Sequence, residues 1–105
     1  MAVVAKSLQP GITLTSTAAT AFSAGAGSSV VSQGVLSNPT TEAVAFTVQI
    51  QRSGASALDV VPSRTIQPNG TDLLPELSNL VLNTGDILLA SGAGLVCILS
   101  GYAMS

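Results

Sequence analysis

Five carboxylates carry nearly all the ionisable chemistry this sequence can offer: Glu42, Asp59, Asp72, Glu76 and Asp86. Two carboxylates suffice for sugar hydrolysis when they flank a glycosidic bond, so a pair among these five is the minimum for an enzyme. The supporting equipment is missing. The 105 residues include no His and no Trp, which removes the usual general base and the commonest metal ligand. Aromatic side chains that could stack on a sugar are Phe22, Phe46 and Tyr102 alone. Gly54-Ala55-Ser56-Ala57-Leu58 begins like a nucleophile elbow but ends on Leu where the turn requires Gly. Gly25-Ala26-Gly27 and Gly92-Ala93-Gly94 open like dinucleotide-binding loops, yet Val30 and Cys97 stand where the third Gly belongs, and no helical pattern follows. Both read as hairpin loops. The expectation is a protein that is not an enzyme, with no catalytic residue and no cofactor.

Two turn-like segments, Asn69-Gly70-Thr71-Asp72 and Asn83-Thr84-Gly85-Asp86, could present oxygens to Ca²⁺. Calcium takes about six to eight oxygen ligands, more than these loops supply, and Asn, Gly and Asp are what tight turns demand. No metal site is expected. Asn69-Gly70-Thr71 is also a formal glycosylation sequon, read here as a turn because Met1-Ala2-Val3-Val4-Ala5 has no basic stretch before it and Lys6 interrupts the apolar run too early for a secretion signal. Cys97 has no second cysteine to pair with, and its neighbours Leu95, Val96, Ile98 and Leu99 make it a small core hydrophobe. Lys6, Arg52 and Arg64 are far apart in sequence and the net charge is −2. Nucleic acid is therefore not an expected partner, since phosphate binding needs clustered cations.

The elements that must position any site read as β-strands throughout. Val44, Phe46, Val48 and Ile50 alternate with Ala45, Thr47, Gln49 and Gln51, the period of a strand with one buried face. Ser28 to Leu36 is a second strand, and Asn38-Pro39-Thr40-Thr41 is a turn joining the two as adjacent antiparallel neighbours. Further strands are expected at Gly11 to Thr15, Thr20 to Ser23, Leu58 to Val61, Arg64 to Ile66, Thr71 to Leu74, Leu80 to Leu82, Ile87 to Ala90 and Leu95 to Tyr102. Pro62 marks a bulge or a sheet edge, because it cannot donate to a ladder. Turn signals recur about every 8–12 residues, as a sandwich or barrel requires. The expected fold is an all-β, antiparallel β-sandwich of jelly-roll type with about 7–9 short strands. Residues 11–105 form its single domain and residues 1–10 an N-terminal arm.

Composition adds a constraint on assembly. Hydrophobic residues make up 47% of the chain and charged ones 8%, against about 25% charged in ordinary soluble domains. A chain this short also buries a modest share of its surface, so part of the apolar surface is expected to meet another subunit, in a homo-oligomer such as a dimer or trimer. Ile87 to Ser105 carries no charge, but Ser91-Gly92-Ala93-Gly94 and Ser100-Gly101 break the continuous stretch of about 20 apolar residues that a membrane helix needs. No membrane association is expected. In Leu95 to Leu99 both alternate sets are apolar, and Ile87-Leu88-Leu89 repeats the pattern. An antiparallel sandwich strand normally keeps one polar face. The outer face of these strands is covered either by a neighbouring subunit or by the chain's own N-terminal segment.

Taken in order, the segments resemble a known class of proteins. They are Leu14-Thr15-Ser16-Thr17-Ala18-Ala19-Thr20, Gly25-Ala26-Gly27, a strand ending Leu36-Ser37-Asn38, and Val44-Ala45-Phe46-Thr47-Val48-Gln49-Ile50. Arg64-Thr65-Ile66-Gln67-Pro68-Asn69-Gly70-Thr71 follows, then Leu80-Val81-Leu82-Asn83-Thr84-Gly85-Asp86-Ile87-Leu88-Leu89-Ala90 and a last hydrophobic strand. Over about residues 12–102 this resembles the small β-sandwich virion proteins of tailed bacteriophages, found as head decoration or cement proteins and as neck or tail components. The resemblance implies a structural role on the virion, at the capsid surface after assembly in the host cytoplasm, with the major capsid protein as partner. The residues expected at the subunit or capsid interface are Val3, Val4 and Leu8 in the arm and Leu88, Val96 and Ile98 on the second apolar face. The alternative is a tail or neck component that binds a host glycan or protein through the loops near 69–72 and 83–86.

Overall fold

A computed structural model describes residues 3–25 and 27–104, without the side chains of residues 3, 4, 6 and 104. Nine strands run in chain order: β1 Val3–Thr13, β2 Ala19–Ser23, β3 Ser28–Ser37, β4 Val44–Gln51, β5 Ala57–Ile66, β6 Thr71–Asp72, β7 Leu80–Leu82, β8 Ile87–Ser91 and β9 Val96–Met104. A single 3-10 turn at Pro75–Leu77 is the one helical element among the described residues. The strands form two antiparallel sheets, one in the order β1-β9-β3 with β6 and β7 both pairing the far side of β3, the other in the order β2-β8-β4-β5. Counting β6 and β7 as one interrupted strand, this is jelly-roll connectivity: an eight-strand sandwich in which most connections cross from one sheet to the other.

The period-2 patterns decide which side chains fill the space between the sheets. Phe46, Val48 and Ile50 point inward from β4, as do Leu95 just before β9 and Cys97 and Leu99 within it, all in the buried core. Val31 and Leu36 of β3 are fully buried against them. The parity change between them comes from a register shift between Val31 and Gln33. Gly34 is the inward residue just past that bulge. A Cβ there would press on Leu74, Leu77 and Leu99 side chains at 3.0–3.1 Å, so its absence lets Leu74, just before the 3-10 turn, and Leu77, its last residue, close the core. Leu74 holds a left-handed backbone, φ 47°, with its N–H donating to Asp72 Oδ1 at 2.8 Å.

Pro62 lies in β5, the edge strand of its sheet, beside register shifts between Phe46 and Val48 and between Val48 and Gln49. The bulge and the edge coincide there. Leu58 to Val61 and Arg64 to Ile66 are consequently one strand rather than two.

Two expectations are corrected. β3 and β4 are not a hairpin: β3 pairs β9, β6 and β7, and β4 pairs β5 and β8. The turn at 38–43 is a crossover between sheets, because each strand already has partners in its own layer. The described part of the expected arm is sheet. Residues 3–10 run antiparallel to β9, from Val3 opposite Met104 to Gln9 opposite Leu99. β1 lies beside β9 and does not cover its outer face, which removes the N-terminal segment as the cover for that face.

Candidate functional site

Three of the five carboxylates, Asp72, Glu76 and Asp86, are held in ion pairs with arginine. Asp86, 2% exposed, accepts from Arg52 Nη1 at 2.7 Å, from the Asn83 N–H at 2.9 Å and from the Ser53 N–H at 3.0 Å. Hydrogen bonding from Arg52 and these backbone amides holds its carboxyl below the usual carboxylate range. Arg64 grips Asp72 through Nε (2.8 Å) and Nη2 (3.0 Å), and Glu76 through Nη1 (2.7 Å) and Nη2 (2.9 Å). Its guanidinium also lies 5.6 Å from the centroid of the Phe46 ring. The Arg64 hydrogen bond pulls the Glu76 carboxyl down in the same way. This cluster ties β6 and the 3-10 turn to β5 of the opposite sheet, so it clasps the two layers together.

The segments 69–72 and 83–86, expected to share a ligand site in the binding alternative, lie at opposite ends of β3. Thr71 pairs Ser37 at one end and Leu82 pairs Ser29 at the other. They cannot form one pocket. Among the described residues no group of three or more His, Cys, Asp or Glu side chains is placed to hold a metal. Cys97 is buried, and burial pushes its thiol up to about 11. No helix among the described residues is long and apolar enough to cross a membrane.

The surface that remains is the outer face of the β1-β9-β3-β7 sheet. Direct cross-strand partners share a face, and the register makes a transverse row of Ala5, Tyr102, Val30 and Val81. A second outward pair joins Ile98 to Val35. Between them runs a hydroxylic band of Ser7, Ser100 and Ser32, with Ser32 Oγ donating to the Ser100 carbonyl at 3.1 Å. Ala5, Ser7, Ser32, Ser100, Gly101 and Tyr102 line a shallow depression of about 400 Å³ there. Of the five large apolar side chains exposed among the described residues, Val81, Ile98 and Tyr102 are on this face, at 45%, 40% and 44% exposure. On the other sheet Thr47, Gln49 and Gln51 face outward beside half-buried Ile87 and Leu89, Gln49 Nε2 donates to Asp59 Oδ1 at 2.9 Å, and Leu58 of the edge strand β5 is exposed.

The structure separates the six expected interface residues. Ile98 is exposed and Val96 half-buried on the outer face. Leu88 is 1% exposed and Leu8 7%; both belong to the chain's own core and offer nothing to a partner. For Leu88 the register decides: it is paired with inward-facing Ile50, which leaves Ile87 and Leu89 on the outer side. Val3 and Val4 are placed by backbone in β1, and their side chains lie outside the described residues. Sequence reasoning missed Val30, Val35, Val81 and Tyr102. The signal was the Val30-Val31 dipeptide and Val81 within Leu-Val-Leu, where one of each neighbouring pair must face out.

The chain matches no family model and no curated protein to which it was compared.

Proposed function

We propose that this chain is a structural bacteriophage virion protein, a decoration or cement protein that stabilises the head by binding across joints between major capsid subunits. The observation that carries the reading is the outer face of the β1-β9-β3-β7 sheet, where Val81, Ile98 and Tyr102 are exposed. The strands contribute no charged side chain to this face among the described residues. Apolar burial returns about 25 cal/mol per Å², so such a face is suited to adhesion by many modest contacts. The jelly-roll connectivity is a fold shared by capsid and lectin domains, and it supports the reading by analogy only. The ion pairs are engaged within the fold, which leaves this face as the adhesive surface.

Immunogold labelling of virions that encode the chain tests the assignment. Gold over the head surface is the expected result, and an Ile98→Glu chain that folds normally should lose that labelling. Gold confined to the neck or tail overturns the decoration role. It would favour a tail component in which the depression beside Tyr102, with its serine hydroxyls, receives a host glycan. Unlabelled particles overturn the virion role altogether.

A further inference from the structure

The edges of the two sheets are managed unequally. An edge strand presents unpaired N–H and C=O groups, and proteins blunt it with short length, proline, charge or bulges. β2 is five residues long with a register shift between Thr20 and Phe22. β6 and β7 have two and three residues. β5 is long but carries Pro62, exposed Asp59 and two register shifts. β1 is the exception. Its second half is blunted by register shifts after Ser7 and after Gln9, by Pro10, and by the Gln9 side chain, whose Oε1 accepts from the Gly11 N–H at 3.1 Å. Its first half, Val3 to Ser7, runs in unbroken register with β9. Among the described residues this stretch has no other backbone partner. Half of its peptide groups therefore point away from the sheet in search of a strand.

We propose that this open edge takes the same edge of a second copy, so that residues 3–7 of two chains pair antiparallel about a two-fold axis. A two-fold perpendicular to the sheet keeps both outer faces on one side, so its centre must fall on a residue and pair like-facing positions. Centring on Ala5 uses the whole open stretch: Val3 meets Ser7 of the second copy, Val4 meets Lys6, and Ala5 meets Ala5. Each Lys6 is then opposite a valine and not another lysine. Ala5 is exposed and pairs Tyr102 on its inner side. The transverse row Val81-Val30-Tyr102-Ala5 therefore continues without a break into Ala5-Tyr102-Val30-Val81 of the second copy, doubling the length of the apolar row. The pairing goes beyond the capsid assignment and does not depend on what the outer face binds.

Sedimentation of the full chain should give twice the 10.4 kDa monomer mass. Ala5→Cys should form an interchain disulfide on mild oxidation, with Cys97 silent because it is buried. Ser7→Cys should not, because two residues either side of the centre place its two copies roughly 14 Å apart along the strands. Ala5→Asp, which sets two carboxylates face to face, should sediment as a monomer with unchanged circular dichroism. A wild-type chain that stays monomeric at high micromolar concentration overturns the proposal. So does a trimer, or crosslinking through Ser7→Cys as efficient as through Ala5→Cys. If Ala5→Asp fails to fold, the crosslinking pair decides alone.

Discussion

Replacing Asn38 with Ala should destabilise the fold by about 3 kcal/mol, a large effect for a residue in a crossover loop. Asn38 is 1% exposed. Its Nδ2 donates to the Glu42 carbonyl at 2.8 Å and to the Ile66 carbonyl at 2.9 Å. Its Oδ1 accepts from the Thr40 N–H at 3.0 Å and the Thr40 hydroxyl at 2.6 Å. The backbone joins in, with the Asn38 N–H donating to the Gly70 carbonyl and the Asn69 N–H to the Asn38 carbonyl. One amide thus ties the β3–β4 crossover to the β5–β6 turn. Each of the four side-chain bonds is worth about 0.5–1.5 kcal/mol net, and a buried acceptor left bare costs about 1–3. Thr40 and Glu42 can recover water, whereas the Ile66 carbonyl cannot, which brings the sum to about 3 kcal/mol. Thermal unfolding should read this as a fall of roughly 14 °C for a chain of this length. Asn38→Asp supplies the independent check. It keeps the acceptor toward Thr40 but turns an acceptor on two carbonyls, so its folded pKa is raised. Its stability is then present below the unfolded carboxyl value and lost as pH rises. The variant should gain stability between about pH 7 and pH 4, the reverse of the wild-type trend. A loss under about 1 kcal/mol for Asn38→Ala would refute the reasoning.

The carboxylates of Asp86 and Glu76 are held low in the fold by Arg52 and Arg64. The unfolded chain therefore takes up their protons first, and the stability they contribute is present at neutral pH and lost as pH falls through the carboxylate range. Urea midpoints should decline from about pH 7 toward pH 3, less so in Glu76→Gln; a flat profile refutes the two ion pairs. Gly101→Ala should abolish soluble folded protein, because a Cβ there would overlap the Val30 carbonyl and press on Leu8 Cδ1 at 3.0 Å. A folded Gly101→Ala chain with an unchanged melting temperature would show that β9 and β3 do not meet as described.

The sequence by itself determined the local layer of this protein. Alternation over Val44 to Gln51, turn chemistry at Gln67-Pro68-Asn69-Gly70 and the proline in β5 are read within a few residues of one another. The Gly70 N–H does close that turn on the Gln67 carbonyl at 2.8 Å. The two apolar alternate sets of Leu95 to Leu99 likewise left one set facing outward, and Ile98 is exposed there. Tertiary structure alone decided what depends on distant partners. A turn such as Asn38-Pro39-Thr40-Thr41 reverses the chain equally well within a sheet or between sheets; β8 and β9, far along the sequence, claim the two strands and make it a crossover. In runs such as Ile87-Leu88-Leu89, where every residue is apolar, alternation carries no parity. Only pairing with Ile50 sends Leu88 into the core. The row from Ala5 to Val81 draws on four strands that no sequence window contains, because register between strands is set by long-range pairing.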